Sequence, residues 1–224
     1  MGFDFTFGKD RRGDRSLLKD LGRELGFQVE VMPPVVHRGG IVSSTLIRRH
    51  LLEGRVAEAS ALLGRPYRIK GRVVKGRGRG RDLGFPTANL KPTRKFLLPD
   101  GVYAGASDIE GKTYPAAIDV GNSPTFCGVK RRIEAYFLNY QGDLYRRQVR
   151  IHFLERIRDE MRFPSEEELI DRMREDASQV LRLFSAWQTE ESNRFTSPNL
   201  YANNASEIEK KEEGRRVCHA PGHV

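Results

Sequence analysis

Cysteine is scarce: Cys127 and Cys218 are the only two in 224 residues, and they lie far apart without metal-ligand spacing. That excludes a disulfide framework or a thiolate metal cage and fits a reducing, cytoplasmic setting. Neither a signal peptide nor an apolar run of membrane length is present, so no membrane role is expected. Acidic residues are in deficit, 30 against 39 lysines and arginines, which leaves a formal charge of +9 and an isoelectric point near 9.8. Such a surplus favours anionic partners, but charge alone does not choose among nucleotide, nucleic acid and acidic lipid. Two familiar phosphate-binding fingerprints are also absent. A dinucleotide fingerprint starting at Gly76 needs glycine at position 81, which is arginine, and the only Gly-Lys-Thr (residues 111–113) has Ala106 where a P-loop needs its first glycine.

What is present is the stretch 71–90, GRVVKGRGRGRDLGFPTANL. It opens as a strand, passes through Gly76, Gly78 and Gly80, and closes on Pro86-Thr87-Ala88-Asn89. Glycines allow close backbone approach, so successive N–H groups can converge on an anion while Lys75, Arg77, Arg79 and Arg81 add positive charge. The alternative is a flexible solvated turn. Residues two apart on a strand point the same way, which places the Thr87 hydroxyl beside the Asn89 amide oxygen, and a pair of neutral hard oxygens suits Mg²⁺.

From residue 65 to about 153 short apolar stretches alternate with turn residues, predicting strands at 68–75, 87–90, 102–109, 113–120, 132–139 and 144–153. Six such strands suggest a small closed antiparallel barrel. Glu134 stands out within the apolar run 133–138 as a strand-held, partly buried carboxylate, able to orient an alcohol or, alternatively, to pair at the rim with Arg131 or Arg132. Asn122, Ser123 and Thr125 are placed either to bind a nucleotide or to build a turn at Pro124. Beyond the strands, Ser165 and Glu168 form a capping box ahead of an apolar stripe running from Leu169 to Phe184, predicting a helix across the barrel. Residues 189–224 lose periodicity and are expected to be disordered.

Before the barrel, residues 1–64 alternate as strand (3–7), helix (15–25), strand (27–32) and helical region (44–63), an α/β pattern. Ser43, Ser44 and Thr45 are candidates to cap that last region, with ordinary capping and anion binding both open.

The motif GFPTAN at 84–89 after a glycine-rich loop resembles the riboflavin kinase signature. So do GVYA (101–104), GNSPTF (121–126), IEAYFL (133–138) and DLY (143–145), and the chain is similar over residues 2–187 to bacterial bifunctional riboflavin kinase/FAD synthetases. GFDFTFGKDRRGD (2–14) and SSTLIR (43–48) resemble late motifs of the family's FMN adenylyltransferase domain, whose early HxGH-type element has no counterpart here. The histidine pair His219 and His223 is spaced one residue too widely for it.

The resemblance implies an α+β chain in three parts: a partial Rossmann-like nucleotidylyltransferase segment (1–64), a six-stranded kinase barrel with a C-terminal helix (65–188) and a tail. It implies ATP as co-substrate and riboflavin, FMN and ADP as the other small-molecule partners. It assigns the ATP phosphates to Gly76, Gly78, Gly80, Arg81 and Ser123, Mg²⁺ to Thr87 and Asn89, and proton acceptance from riboflavin to Glu134. Adenylylation of FMN to FAD and a basic nucleic-acid-binding barrel are the rival readings, with neither nucleic acid nor membrane expected as a partner.

Overall fold

The computed structural model describes residues 2, 4–76, 78–125 and 128–196, without the side chains of residues 79, 123–125, 128–130 and 194–196. The chain divides into two compact units, one containing Met1–Ser43 and the other Ser44–Pro198.

In the larger unit, alternation of side chains decides the architecture. Along β3 (Tyr67–Val74), Ile69, Gly71 and Val73 are buried while Arg68, Lys70 and Arg72 face water. The same period runs through β4 (Thr87–Pro92), β6 (Lys112–Thr125), β7 (Gly128–Phe137) and β8 (Gln148–Arg158), whereas β5 (Gly101–Ile109) is buried on both faces apart from Asp108. Every neighbouring pair is antiparallel, and the order β3-β4-β7-β6-β5-β8 closes on itself through β3 and β8. Leu90, Ile118, Val120, Ile133, Ile151 and Phe153 fill the interior. Each large aliphatic side chain buried there contributes about 1.5–3 kcal/mol relative to exposure.

The six expected strands are all present, with the largest changes of bounds in β6, β7 and β8. Residues 144–147 form a turn instead of the start of β8: Arg146 has φ 66°, Asp143 accepts from the Tyr145 N–H at 2.7 Å, and the turn is tied to Val73 by Arg146 N–H to Val73 O at 3.0 Å. The turn expected at Pro124 is strand, because the β6–β7 ladder continues through Pro124↔Val129 to Thr125↔Gly128. Proline is tolerated in a strand where its missing N–H has no ladder partner to serve.

Helices α2 (Ser44–Leu52) and α3 (Val56–Leu63) replace the single helical region expected at 44–63, with a break over residues 53–55. Leu51, Val56 and Ala59 join the barrel core, so this unit extends upstream of the expected boundary at residue 65. Helix α5 (Glu166–Thr196) starts as the capping box predicts, with the Glu168 N–H donating to Ser165 Oγ at 3.2 Å. It packs Val180, Ala177 and Leu183 on Ala104, Leu138 and Tyr136 outside the barrel. A buried ion pair, Arg158 Nη2 to Asp176 Oδ2 at 2.7 Å, fixes it to the end of β8. The helix outruns its expected end at 188, since each further residue adds a backbone bond to an existing helix and the Thr189 and Ser192 hydroxyls donate to carbonyls four residues back. The remainder of the expected tail, His219 and His223 included, lies outside the described residues.

In the smaller unit, α1 (Arg15–Leu25) matches its expected bounds, capped by Asp14 accepting from the Leu17 N–H at 2.9 Å and ended by left-handed Gly26. Where strands were expected at 3–7 and 27–32, the described residues form two isolated bridges, Gly2↔Met32 parallel and Phe7↔Gly13 antiparallel. A two-residue hairpin, β1 (Val36–His37) with β2 (Gly40–Ile41), lies where the sequence suggested only loop. Leu25, Met32, Val35 and Ile41 keep half or more of their surface exposed. Among the described residues, no helix is long and apolar enough to cross a membrane.

Candidate active site

The outer face of three adjacent strands carries the polar groups that the barrel interior cannot. On β4, Ala88 and Leu90 face inward, leaving Thr87 and Asn89 outward. On β7, Ile133 and Ala135 are buried, leaving Arg132, Glu134 and Tyr136 outward. Register then sets the neighbours: Asn89 lies opposite Glu134, Thr87 opposite Tyr136, and Asp119 of β6 opposite Glu134 on the other side. Thr87 Oγ1 donates to Glu134 Oε2 at 3.0 Å.

The glycine run folds onto this face. After Gly78, left-handed at φ 78°, Arg79–Asp82 form a short helix, α4, where only a loop was expected. Phe85, at the end of the loop, meets the Tyr136 ring edge-on with centroids 5.4 Å apart. Two glycines are required by space. A Cβ on Gly76 would lie 2.0 Å from Asn89 Nδ2, and one on Gly80 would lie 2.3 Å from Phe85 O and 3.3 Å from Thr87 Oγ1. The backbone at 76 and 80 therefore approaches both expected magnesium ligands.

Two grooves meet there. One, of about 770 Å³, is bounded by Gly78, Arg81 and Thr87 on one side and Tyr140, Asp143 and Tyr145 on the other. The second, of about 640 Å³, has Glu134 in its wall with Lys91, Arg131 and Arg132. Lys75, Gly76 and Asn89 belong to both.

Glu134 sits beside an electrostatic cluster. Arg132 donates through Nη2 to Asp119 Oδ2 at 2.7 Å and to Glu160 Oε1 at 3.1 Å, and its Nε is 3.7 Å from Glu134 Oε1. Burial pushes the Asp119 carboxyl up to about 6, a rise that Arg132 opposes and that Glu160 and Glu134 reinforce.

Residues 63–184 match the family model for riboflavin kinase, and residues 1–46 match that for FAD synthetase. The chain belongs to the riboflavin kinase family. The bifunctional riboflavin kinase/FMN adenylyltransferase of Pseudomonas fluorescens is 41% identical over 170 residues, 75% of this chain and 55% of that protein. The enzyme of the same description from Escherichia coli strain K12 is 38% identical, with 75% and 54% covered. The chain thus spans about half the length of the curated relatives it matches. A crystal structure from Streptococcus pneumoniae described as a macrolide-efflux protein superposes with a TM-score of 0.70 at 38% identity, covering 80% of this chain and 58% of that one.

Within this riboflavin kinase domain, the structure brings Thr87, Asn89, Glu134, Gly76 and Gly80 together and places Gly78 and Arg81 on the larger groove. Ser123 pairs with Lys130 in the β6–β7 ladder, and its side chain lies outside the described residues. Asp119 was not among the residues expected at the site. Its signal was a single charge in the apolar run 116–120, at the alternate position that a strand turns outward.

Two neutral side-chain oxygens, from Thr87 and Asn89, stand next to a carboxylate at the edge of both grooves. That donor set suits a hard divalent cation such as Mg²⁺. Thr87 spends its one proton on Glu134, so the lone pairs of its oxygen stay available to a cation.

Proposed function

We propose that this chain transfers the γ-phosphoryl group of ATP to the 5′-hydroxyl of riboflavin, giving FMN and ADP. The observation that carries the reading is the Thr87–Glu134 hydrogen bond of 3.0 Å beside Asn89, where two grooves meet, in a chain of the riboflavin kinase family. Phosphoryl transfer asks little covalent chemistry of a protein and much positioning and charge neutralisation. Thr87 and Asn89 hold Mg²⁺, which when bound offsets the charge on the phosphate oxygens. Gly76, Gly78 and Gly80 bring backbone N–H groups to those phosphates, and Arg81 and Ser123 add a cation and a hydroxyl.

Glu134 orients the ribityl 5′-hydroxyl and accepts its proton as the oxygen attacks. The Thr87 hydroxyl donates to Oε2 and so keeps the carboxylate turned toward the cleft, leaving Oε1 for the substrate. The need for ATP and the sparse cysteines support a cytoplasmic setting for this proposed reaction. The test is chromatographic: riboflavin and Mg-ATP are incubated with wild type, Asn89→Ala and Glu134→Gln. FMN from wild type with losses of about 10²-fold or more in both variants is expected. No FMN from folded wild-type protein refutes the proposal.

A second reading, adenylylation of FMN to FAD, is favoured by the FAD synthetase match at residues 1–46. His37 is the only histidine in that segment, which therefore offers no imidazole pair for the developing phosphate charge. FAD formed from FMN, ATP and Mg²⁺ above a no-enzyme control would establish the second activity.

A further inference from the structure

Arg132 is held more firmly than a rim arginine needs to be. It lies two residues from Glu134 on the same outward face of β7, and its side chain is about two-thirds buried. Two carboxylates from different elements grip the same Nη2: Asp119 on β6 at 2.7 Å, and Glu160, just beyond β8, at 3.1 Å. Gly121 makes this second contact possible. It is the register partner of Arg132, and a Cβ there would sit 2.0 Å from Glu160 Oε1 and 2.9 Å from Arg132 Nη2. With Nη2 fixed, the guanidinium turns its Nε edge toward Glu134 Oε1, 3.7 Å away. That Nε is buried and makes no hydrogen bond. A buried donor without a partner is costly and is tolerated where it serves an arrangement.

We propose that Arg132 is a positioning residue for the phosphoryl transfer, gripped by Asp119 and Glu160 so that its Nε edge fixes Glu134 Oε1 in the direction of the attacking hydroxyl. This rests on the kinase reading above. Thr87 restrains one oxygen of the carboxylate and Arg132 the other, so the side chain is held from both sides before substrate arrives. In this role the guanidinium acts through Glu134 and not on the reacting atoms. Its removal therefore affects the turnover of bound substrate more than its binding.

The test measures initial rates of FMN formation at saturating Mg-ATP, with a thermal melt of each variant. Arg132→Met is expected to lower kcat by about tenfold or more while KM for riboflavin and for Mg-ATP stays within about twofold. Arg132→Lys, which keeps the charge but not the fork, is expected to recover part of that loss. Gly121→Ala keeps the arginine but crowds out Glu160, and is expected to lower kcat by about threefold.

A folded Arg132→Met variant with wild-type kcat, or with its loss in KM alone, overturns the proposal. Should Arg132→Met not fold, Asp119→Asn decides: it keeps the guanidinium, loosens one grip and is expected to lower kcat by about threefold, and wild-type kcat there overturns the proposal. Wild-type protein that makes no FMN refutes the kinase reading itself. Active wild type with unaffected variants refutes only the role of Arg132.

Discussion

Replacing Gly76 with alanine separates the metal-binding role proposed for Asn89 from the stability of the barrel. The φ of Gly76 lies outside the left-handed region, so its backbone accepts a side chain. The new methyl would lie 2.0 Å from Asn89 Nδ2 and 2.5 Å from its Cγ. Ordinary van der Waals separation requires the amide to retreat by roughly 1–1.5 Å. A rotated Asn89 costs about 0.5–1.5 kcal/mol, and the loss of glycine's freedom in the unfolded chain returns about 0.4–1 kcal/mol, so net stability should change by less than about 1 kcal/mol. Activity should not be spared, since misplacing a positioning group by about 1 Å costs about 10²-fold, or about 2.7 kcal/mol of barrel-independent transition-state stabilisation. The assay is FMN formation across a magnesium titration, paired with a melting curve. The expected result is a raised Mg²⁺ requirement, kcat/KM down about 10²-fold and a Tm close to wild type. Gly80→Ala gives the contrast. Its Cβ meets the Phe85 carbonyl at 2.3 Å, and backbone cannot step aside as an amide can, so both Tm and activity should fall. Wild-type kcat/KM in Gly76→Ala, or a Tm loss as large as that of Gly80→Ala, would mean that the backbone at Gly76 does not set the position of Asn89.

Asp119→Asn should stabilise the protein above pH 6 and lose that advantage below about pH 4. The folded carboxyl titrates near 6 against 3.8 ordinarily, so the folded state binds more protons between those values and stability falls as pH rises through them. The full difference corresponds to about 3 kcal/mol, but a third of the side chain still meets water, so about 1 kcal/mol is expected by urea denaturation. His152 should show the opposite slope. Burial lowers its pKa despite Asp108 nearby, so protons favour the unfolded chain and stability falls as pH drops below 6.5, an effect that His152→Gln should flatten in urea midpoints at pH 7.5 and 5.5. Asp176→Ala strands the buried Arg158 and should cost about 3–5 kcal/mol, lowering Tm by roughly 6–20 °C. Replacing Arg158 and Asp176 together with apolar residues should recover most of that loss.

The barrel was legible because its inward residues alternate cleanly: Ile69 and Val73, Ile118 and Val120, Ile151 and Phe153 all read as one face of a strand. Thr87 and Asn89 were legible for the same reason, since a period of two puts them side by side whatever the sheet does. Their meeting with Glu134, 45 residues downstream of Asn89, was not, because cross-strand register depends on loop lengths and closure rather than on local pattern. The turn at 144–147 was missed because its left-handed residue is Arg146, which advertises no turn, while Pro124 advertised a turn and sits in a ladder. The smaller unit reads as α/β in sequence, yet most of its expected strand residues make no ladder, since an extended segment becomes a strand only when a partner supplies its hydrogen bonds.

Closure of the six-stranded sheet also has a kinetic consequence. A ladder without a first or last strand has no edge from which to fray, so its amides should exchange with solvent chiefly through whole-barrel opening. The amides of Asn89 and Glu134, paired in β4 and β7, should then be among the slowest to exchange in deuterium, although their side chains border open grooves. The glycine loop a few residues away should exchange far faster. The groups proposed for the chemistry would thus ride on the most persistent backbone of the barrel, and the loop proposed to admit and release nucleotide on a far less persistent one.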